Sequence, residues 1–321
     1  VKNIALGLTT LLLASAAFAQ PKDNYPNRPI RIITGSPGST SDLSARFVAQ
    51  RLTERWGQQA VVDNRAGAGG IIGTEIGSRA APDGYTLVVG HVGTHASAQA
   101  LHKNLAYDPI KDFEPISNLV NVAIVLVVHP SLPTGSLKEF IAHTQANPGK
   151  VNYGSPGLGT SGNLTGELFN QITKARMVHI PYKGAGFAVQ ANVANEVQAS
   201  FLSTATAQTQ MKAGRLKGLV VVRKTRFAGA PDIPSAAEAG YPDMESNAWF
   251  GLFAPAKTSR TIIQRVNKEV ADALNTQQVK DILLAQGAEV APSTPEQFGA
   301  YVKSEIAKWS RVVREARYKQ Q

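Results

Sequence analysis

The sequence predicts an α/β protein of two lobes, each a sheet covered by helices, with a ligand cleft between them. Three observations carry this. Apolar β-branched stretches alternate with stretches of helical periodicity along most of the chain. A second such series starts with the apolar run 122–128. Three glycine-rich turns, at 36–42, 64–73 and 154–162, each follow a strand-like stretch and precede a helical one. Ligands of such open sheets sit beyond the carboxyl ends of the strands, so the turns are expected to face the cleft.

In chain order, residues 29–33 read as a strand. Residues 41–56 follow as an amphipathic helix with Leu43, Phe47, Leu52 and Trp56 near one side. A short strand at 61–62, a helix at 71–79 and a strand at 86–89 complete a βαβαβ rhythm, which implies a parallel or mixed sheet. The second series gives strands at 122–128, 151–153, 178–180, 197–201 and 219–222. Its helices fall at 136–145, 161–171, 186–193 and 204–213. The Pro/Gly-rich stretch 228–242 reads as an exposed connection, and the apolar segment 249–253 as a return to the first lobe. Thr258 precedes a long helical run. Thr294 is an N-cap with Pro295 at the first helical position, and Phe298, Tyr301, Val302, Ile306 and Trp309 recur at helical spacing as a core stripe. No internal repeat or low-complexity tract is evident. The expected division is a signal segment 1–19, a first lobe of 25–121 and 250–321, and a second lobe of 122–249 inserted in it.

Composition narrows the chemistry. The 321 residues include no cysteine, which excludes disulfides, thiolate metal sites and thiol nucleophiles. The apolar stretch 4–13 after Lys2, followed by Ala17-Phe18-Ala19, has the form of a secretory signal cleaved after Ala19, and the mature chain is expected to be soluble and outside the cytoplasm. The net charge is +10, but the basic residues are spread and carry no nucleic-acid-binding motif; the cluster at 308–319 reads as a solvated helix face.

The glycine turns are the informative chemistry. Glycines before a helix leave first-turn amides uncovered, and the helix dipole is positive there, so such openings suit an anion. Gly157-Leu158-Gly159-Thr160-Ser161-Gly162 fits the dinucleotide pattern, but the region about twenty residues on, His179 to Lys183, offers no acid for a ribose. A small anion uses the same amides without that partner. Thr160 or Ser161 also reads as an N-cap, which does not exclude ligand binding. There is no P-loop, and Gly159 to Asn163 lacks the last glycine of a nucleophile elbow. His91 and His95 are four apart without a metalloprotease motif and read as polar surface residues of a turn. Asp42 reads as a loop brace more than a ligand contact. No cofactor and no metal are expected.

These residues bring a family into view. Pro37-Gly38 with Asp42 and Arg46, Asn64 to Gly70 with Gly73, and Pro82-Asp83-Gly84-Tyr85 resemble the extracytoplasmic solute receptors of tripartite tricarboxylate transporters, the Bug-type proteins. So do Tyr153-Gly154-Ser155 with Gly159-Thr160, His179 to Gly184, Ala213 to Leu216, Pro234-Ser235 with Glu238 to Gly240, and Trp249 with Gly251 and Ala254-Pro255. The resemblance covers essentially the whole mature chain. It implies a Venus-flytrap fold, the type II-like form of the periplasmic binding proteins. It also implies a carboxylate held by the amides and hydroxyls of the first two turns, here Gly38, Ser39, Thr40, Ser41, Asp42, Ala68, Gly69 and Gly70. From the second lobe Ser155, Thr160 and Ser161 are added, with Ala185 and Gly186 nearby.

Two positions depart from the family. Ser39 stands where a second glycine is usual. Leu202 follows Phe201 where amino-acid-binding members tend to carry Asp. A buried ammonium without a carboxylate is costly, so the expected ligand is an aliphatic or aromatic carboxylate with no free amine, against an apolar distal pocket.

The expected function is capture without chemistry, by a monomer that delivers a small organic carboxylate to the permease subunits of a tripartite tricarboxylate transporter. The alternatives are a ligand-sensing subunit for a signalling partner and, further off, a secreted hydrolase. The hydrolase would need an activated nucleophile beside the cleft, and no Ser/His/Asp constellation is identifiable.

Overall fold

The computed structural model describes residues 25–316 and 318, so the expected signal segment lies outside the described residues. The first series forms β1 (Ile30–Thr34), α1 (Thr40–Trp56), β2 (Ala60–Asn64), α2 (Ile71–Ser78), β3 (Thr86–His91) and the short α3 (Ala98–Leu101). A π-helical turn, Gly93–Ser97, joins β3 to α3. Next comes β4 (Phe113–Val128), a 16-residue strand. The second series then forms α4 (Leu137–Ala146), β5 (Asn152–Ser155), α5 (Ser161–Thr173), β6 (Val178–Pro181), α6 (Ala185–Val193), β7 (Ala199–Ser203), α7 (Thr204–Lys212) and β8 (Lys217–Val221). The chain finishes with β9 (Asn247–Pro255), α8 (Arg260–Leu274), α9 (Gln277–Ala285), β10 (Ala288–Val290) and α10 (Pro295–Glu315).

One curled mixed sheet links everything, in the order β2-β1-β3-β9-β4-β7-β5-β6, with β10 and β8 also paired to β4. The order reads the same from both ends. In each half three parallel strands, β2-β1-β3 or β6-β5-β7, are closed by an antiparallel neighbour, β9 or β4. The long strand β4 changes partners midway: through Ala123 it pairs with β9, and from Ile124 with β7 and β8. Its continuous run of Val, Ile and Leu suits a strand covered on both faces. The expected second series therefore starts inside a strand and not at a loop. The boundary after 121 falls within β4 and the one after 249 within β9.

The halves also share sequence. Gly35-Ser36-Pro37-Gly38 before α1 matches Gly154-Ser155-Pro156-Gly157 before α5, and each segment follows or closes the first strand of its parallel trio. The expectation of no internal repeat is thus corrected. Two extra residues in the second turn, Leu158 and Gly159 between Gly157 and the N-cap Thr160, break the register of a direct sequence match.

Separate apolar clusters fill the halves. One gathers Ile32, Val48, Leu52, Leu87, Leu252 and Val266; another gathers Leu126, Phe140, Tyr153, Phe169 and Phe201. A third crosses between them, because Leu164 and Leu168 of α5 pack with Trp249, Phe298, Trp309 and Val312. The helix α10 is thus held to both halves. The expected stripe of α10 is core. On α1, in contrast, Leu43 is 54% exposed, and Ala45, Val48, Ala49 and Leu52 make the buried face. Among the described residues no helix is long and apolar enough to cross a membrane.

Candidate functional site

Four helix openings follow from this symmetry: β1 to α1, β2 to α2, β5 to α5 and β6 to α6. The first and third are capped by side chains. Ser39 accepts from the Asp42 amide through Oγ at 3.3 Å, and Thr160 accepts from the Asn163 amide through Oγ1 at 3.5 Å. The second and fourth are capped by glycine, Gly70 at φ 96° and Gly184 at φ 121°, with no side-chain cap. Among the described residues, the amides of Thr40, Ser41, Ala68, Gly69, Ser161, Gly162, Ala185 and Gly186 have no protein hydrogen-bond partner. Six of these are first-turn donors that a helix cannot satisfy itself, and Ala68 and Gly69 lie in the short 3-10 turn Ala68–Gly70 just before α2.

The openings come together in pairs. In the first pair, the side-chain Nδ2 of Asn64, at the end of β2, donates to the Gly35 carbonyl at 2.9 Å and to Asp42 Oδ1 at 2.8 Å. The Gly38 amide donates to Asp42 Oδ2 at 2.8 Å, and Arg46 Nε donates to the same oxygen at 3.0 Å. Burial alone would raise the Asp42 carboxyl; the hydrogen bonds from Arg46, Asn64 and Gly38 outweigh it and hold it below the usual range. Its oxygens are thus engaged in shaping the turn. In the second pair, the Gly184 amide donates to the Pro156 carbonyl at 3.1 Å, and the Tyr182 amide to the Ser155 carbonyl at 3.0 Å.

The turn Gly93–Ser97 joins the two pairs. Ser97 Oγ donates to the Gly159 carbonyl at 3.0 Å. A Cβ on Gly70 would lie 3.2 Å from His91 Nε2, and one on Gly93 would lie 3.7 Å from the Gly159 oxygen. His91 Nδ1 accepts from the Gly93 amide at 3.0 Å, so Nε2 carries the proton for its hydrogen bond with the Gly69 backbone. Burial pushes this ring down to about 4 despite that bond. His95 is fully buried, stacked on Phe253 with centroids 4.0 Å apart, and burial pushes it to about 3. His95 is therefore interior, and His91 is half-buried and hydrogen-bonded within the turn; neither is the freely exposed surface residue their spacing suggested.

The predicted site residues divide by what their side chains do. Ser39 Oγ also donates to the Ser36 carbonyl at 2.7 Å and lies 2.9 Å from Ser41 Oγ. Thr160 Oγ1 donates to the Gly157 carbonyl at 2.7 Å. Ser155 is fully buried, with Oγ bonded to Gly157 and 2.7 Å from His179 Nε2. These hydroxyls shape turns. Gly38, Ala68, Gly69 and Gly186 are exposed at their turns, and Thr40, Gly70, Ser161 and Ala185 partly so. Leu202 is not with them. Its side chain is buried with Val125, Val127, Val189 and Leu216, since both faces of β7 are covered, and it is 1% exposed. Sequence reasoning missed Asn64, Asn163 and His91 as turn-shaping groups. The signal available for Asn163 was its place three residues after the N-cap, matching Asp42.

Comparison with known proteins identifies the family. Residues 44–317 match the tripartite tricarboxylate transporter family receptor. Protein BugT of Bordetella pertussis is 36% identical over 314 residues, covering 97% of this chain and 96% of BugT. A protein of R. palustris solved with adipate is 31% identical, with TM-score 0.82 over 91% of this chain and 98% of that one. MatC from Rhodopseudomonas palustris, solved with bound malate, is 32% identical, with TM-score 0.79 over 90% of this chain and 100% of MatC. The chain belongs to the tripartite tricarboxylate transporter receptor family, has the two-lobed fold of those periplasmic binding proteins, and is a solute receptor, not an enzyme.

Proposed function

We propose that this receptor captures a small dicarboxylate in the periplasm, one carboxylate at each pair of helix openings, and delivers it to the permease subunits of a tripartite tricarboxylate transporter. The observation that carries the reading is the set of unpartnered amides at Thr40, Ser41, Ala68 and Gly69 on one side and Ser161, Gly162, Ala185 and Gly186 on the other. The relatives solved with adipate and malate support it. The lobes would be 25–121 with 250–321, and 122–249, after export and removal of 1–19. Hydrogen bonds to a charged acceptor contribute about 1.5–3 kcal/mol each, so a few per carboxylate offset ordering costs and leave micromolar affinity, about 8 kcal/mol. Asp42 acts by shaping its turn.

A ligand free of amines follows from the same residues. Asp42 is the one acidic residue in the four turns, and its carboxylate is engaged. An ammonium closed into the cleft would lack a partner there. The test is a thermal-shift screen followed by calorimetry with succinate, malate, adipate and benzoate against glutamate and aspartate. A ligand at a hundred times its Kd stabilises by about 2.7 kcal/mol. Dicarboxylates are expected to raise Tm most. Tighter binding of glutamate or aspartate overturns the amine-free ligand, and no response to any acid overturns capture of this class. Loss of uptake of the same acid when the receptor gene is deleted, with the permease genes intact, tests delivery.

A further inference from the structure

We propose that Tyr318, beyond the last helix, is a positioning residue for the ligand turn at 155–161, acting through Asn163; this rests on the capture reading above.

The directions of the hydrogen bonds are fixed in sequence. The Gly159 amide donates to Asn163 Oδ1 at 2.9 Å, which sets the orientation of that side chain. Asn163 Nδ2, a donor only, therefore faces His179 Nδ1 at 3.2 Å and Tyr318 Oη at 2.6 Å. His179 Nδ1 must accept, so Nε2 carries the ring proton and donates to Ser155 Oγ at 2.7 Å. Ser155 in turn donates to the Gly157 carbonyl and accepts from the Gly157 amide, both at 3.1 Å. Tyr318 accepts from Asn163, so its own proton goes to Glu167 Oε1 at 3.1 Å, where Tyr153 Oη also donates at 2.5 Å. Every arrow runs one way, and Asn163 is the junction: one side holds Gly159, the other holds His179 and through it Ser155 and Gly157.

Tyr318 reaches Asn163 from outside the second half, as Ser97 reaches the Gly159 carbonyl. It follows α10, which is packed to α5 by Trp309 and Val312 against Leu164 and Leu168, and by Gln171 Nε2 donating to the Val312 carbonyl at 2.9 Å. Asn163 is fully buried, so its Nδ2 cannot exchange the Tyr318 bond for bulk water in place. Removing the phenol oxygen frees Asn163 to tilt toward Tyr153, 3.4 Å away, and both Gly159 and His179 lose their fixed partner. The position of Tyr318 after α10 is thereby coupled to the turn that presents Ser161 and Gly162.

The test compares the wild-type protein with Tyr318→Phe, which keeps the ring, and with Gly69→Val as a control at the other pair of turns. Amide and imidazole nitrogen NMR are recorded without ligand, and succinate and malate affinities by calorimetry. Tyr318→Phe is expected to shift the Gly157 and Gly159 amides and the His179 Nδ1 resonance without ligand, and to weaken binding about tenfold, the effect of one lost hydrogen bond at a charged site. Gly69→Val is expected to weaken binding and leave those resonances in place. Unmoved Gly157, Gly159 and His179 signals in Tyr318→Phe overturn the proposal whether or not the wild type binds these acids. Moved signals with unchanged affinity overturn it as well. Absence of wild-type binding to any acid strikes at the capture reading, while the resonances still decide whether Tyr318 sets the turn.

Discussion

The same turn is braced in opposite ways in the two halves of this molecule. In both, a glycine one residue before the N-cap, Gly38 or Gly159, has φ 74° and donates its amide to the side chain four residues on. In the first half that side chain is Asp42, and the residue one turn later is Arg46. In the second half the equivalents are Asn163 and Glu167. The first brace is an ion pair whose cation is 56% exposed. The second is a buried neutral amide, with its carboxylate displaced to the far side of two tyrosines. Geometry is repeated and electrostatics is not. A solvated ion pair tolerates the loss of its outer partner, because water replaces it. A buried network does not, because each orphaned group costs its full desolvation.

The largest expected effect comes from the glycine-capped openings. Gly69 lies at φ 64° with open space where a Cβ would go, whereas Gly186 is equally open but has no positive φ. Valine at 69 is strained, since a β-branched residue in the left-handed region is a steric outlier, and it also covers the Ala68 and Gly69 amides. Dicarboxylate affinity should fall at least about a hundredfold in Gly69→Val, the loss of two or more charge-assisted bonds, and about tenfold in Gly186→Val. Calorimetry on both variants checks this. Equal losses would mean that the two pairs of turns are equivalent to the ligand, and no loss at Gly69 would remove the first pair from the site.

Acid probes both halves together. His91 and His179 are pushed to about 4 and His95 to about 3, each mainly by burial. In the unfolded chain a histidine titrates near 6.5. Between about pH 6.5 and 4 the unfolded state therefore binds more protons, and stability falls as pH falls, by on the order of 1.4 kcal/mol per pH unit for each histidine fully in that window. Glu167 opposes this. Burial raises its carboxyl, so its contribution is lost as pH rises through its folded value and regained on acidification, but it is one group against three. Asp42, Asp63 and Asp108 are held low and matter only below the usual carboxylate range. Urea unfolding of the ligand-free protein at pH 7, 6 and 5 should show the decline, and His179→Gln should flatten it by about one proton. A flat wild-type profile would place these rings in contact with water.

The sequence carried the turns because turn chemistry is local. Gly38, Gly69, Gly70 and Gly159 all have positive φ, and Ser39, Thr160 and Thr294 cap the helices they precede. Alternating strands and helices were also legible, although α9 and β10 were not anticipated and β4 was read at half its length. What stayed hidden depends on contacts distant in the chain. Tyr318 meets Asn163 across 155 residues, and no periodicity encodes that. Leu43 and Leu202 show the same limit. Helical spacing placed Leu43 inside although it sits at the open end of α1, and a strand covered on both faces gives no sign of which face meets a ligand. The repeat was missed because its matching residues are Asp42 with Asn163 and Arg46 with Glu167, pairs that share a role in geometry and differ in charge.

The smallest expected effect is at Arg46, and it bears most directly on the contrast between the two braces. Its guanidinium reaches Asp42 Oδ2 at 3.0 Å and Asn64 Oδ1 at 3.3 Å from a largely solvated position. Removing it leaves Asp42 still accepting from the Gly38 amide and from Asn64, so the turn keeps its shape. Exposed ion pairs are worth about 0.2–1 kcal/mol, which sets the loss of stability in Arg46→Ala. Ligand affinity should change about two- to threefold at most, and the difference from wild type should shrink as salt is raised from 20 to 500 mM, where the Debye length falls below the pair's reach to the cleft. Asn163→Ala should behave differently on both counts, with a larger loss that salt leaves unchanged, since no charge is removed and the vacated bonds are buried. If Arg46→Ala proves as damaging as Asn163→Ala and equally indifferent to salt, the ion pair is not solvated in the working molecule, and the two halves brace their turns by one electrostatic rule after all.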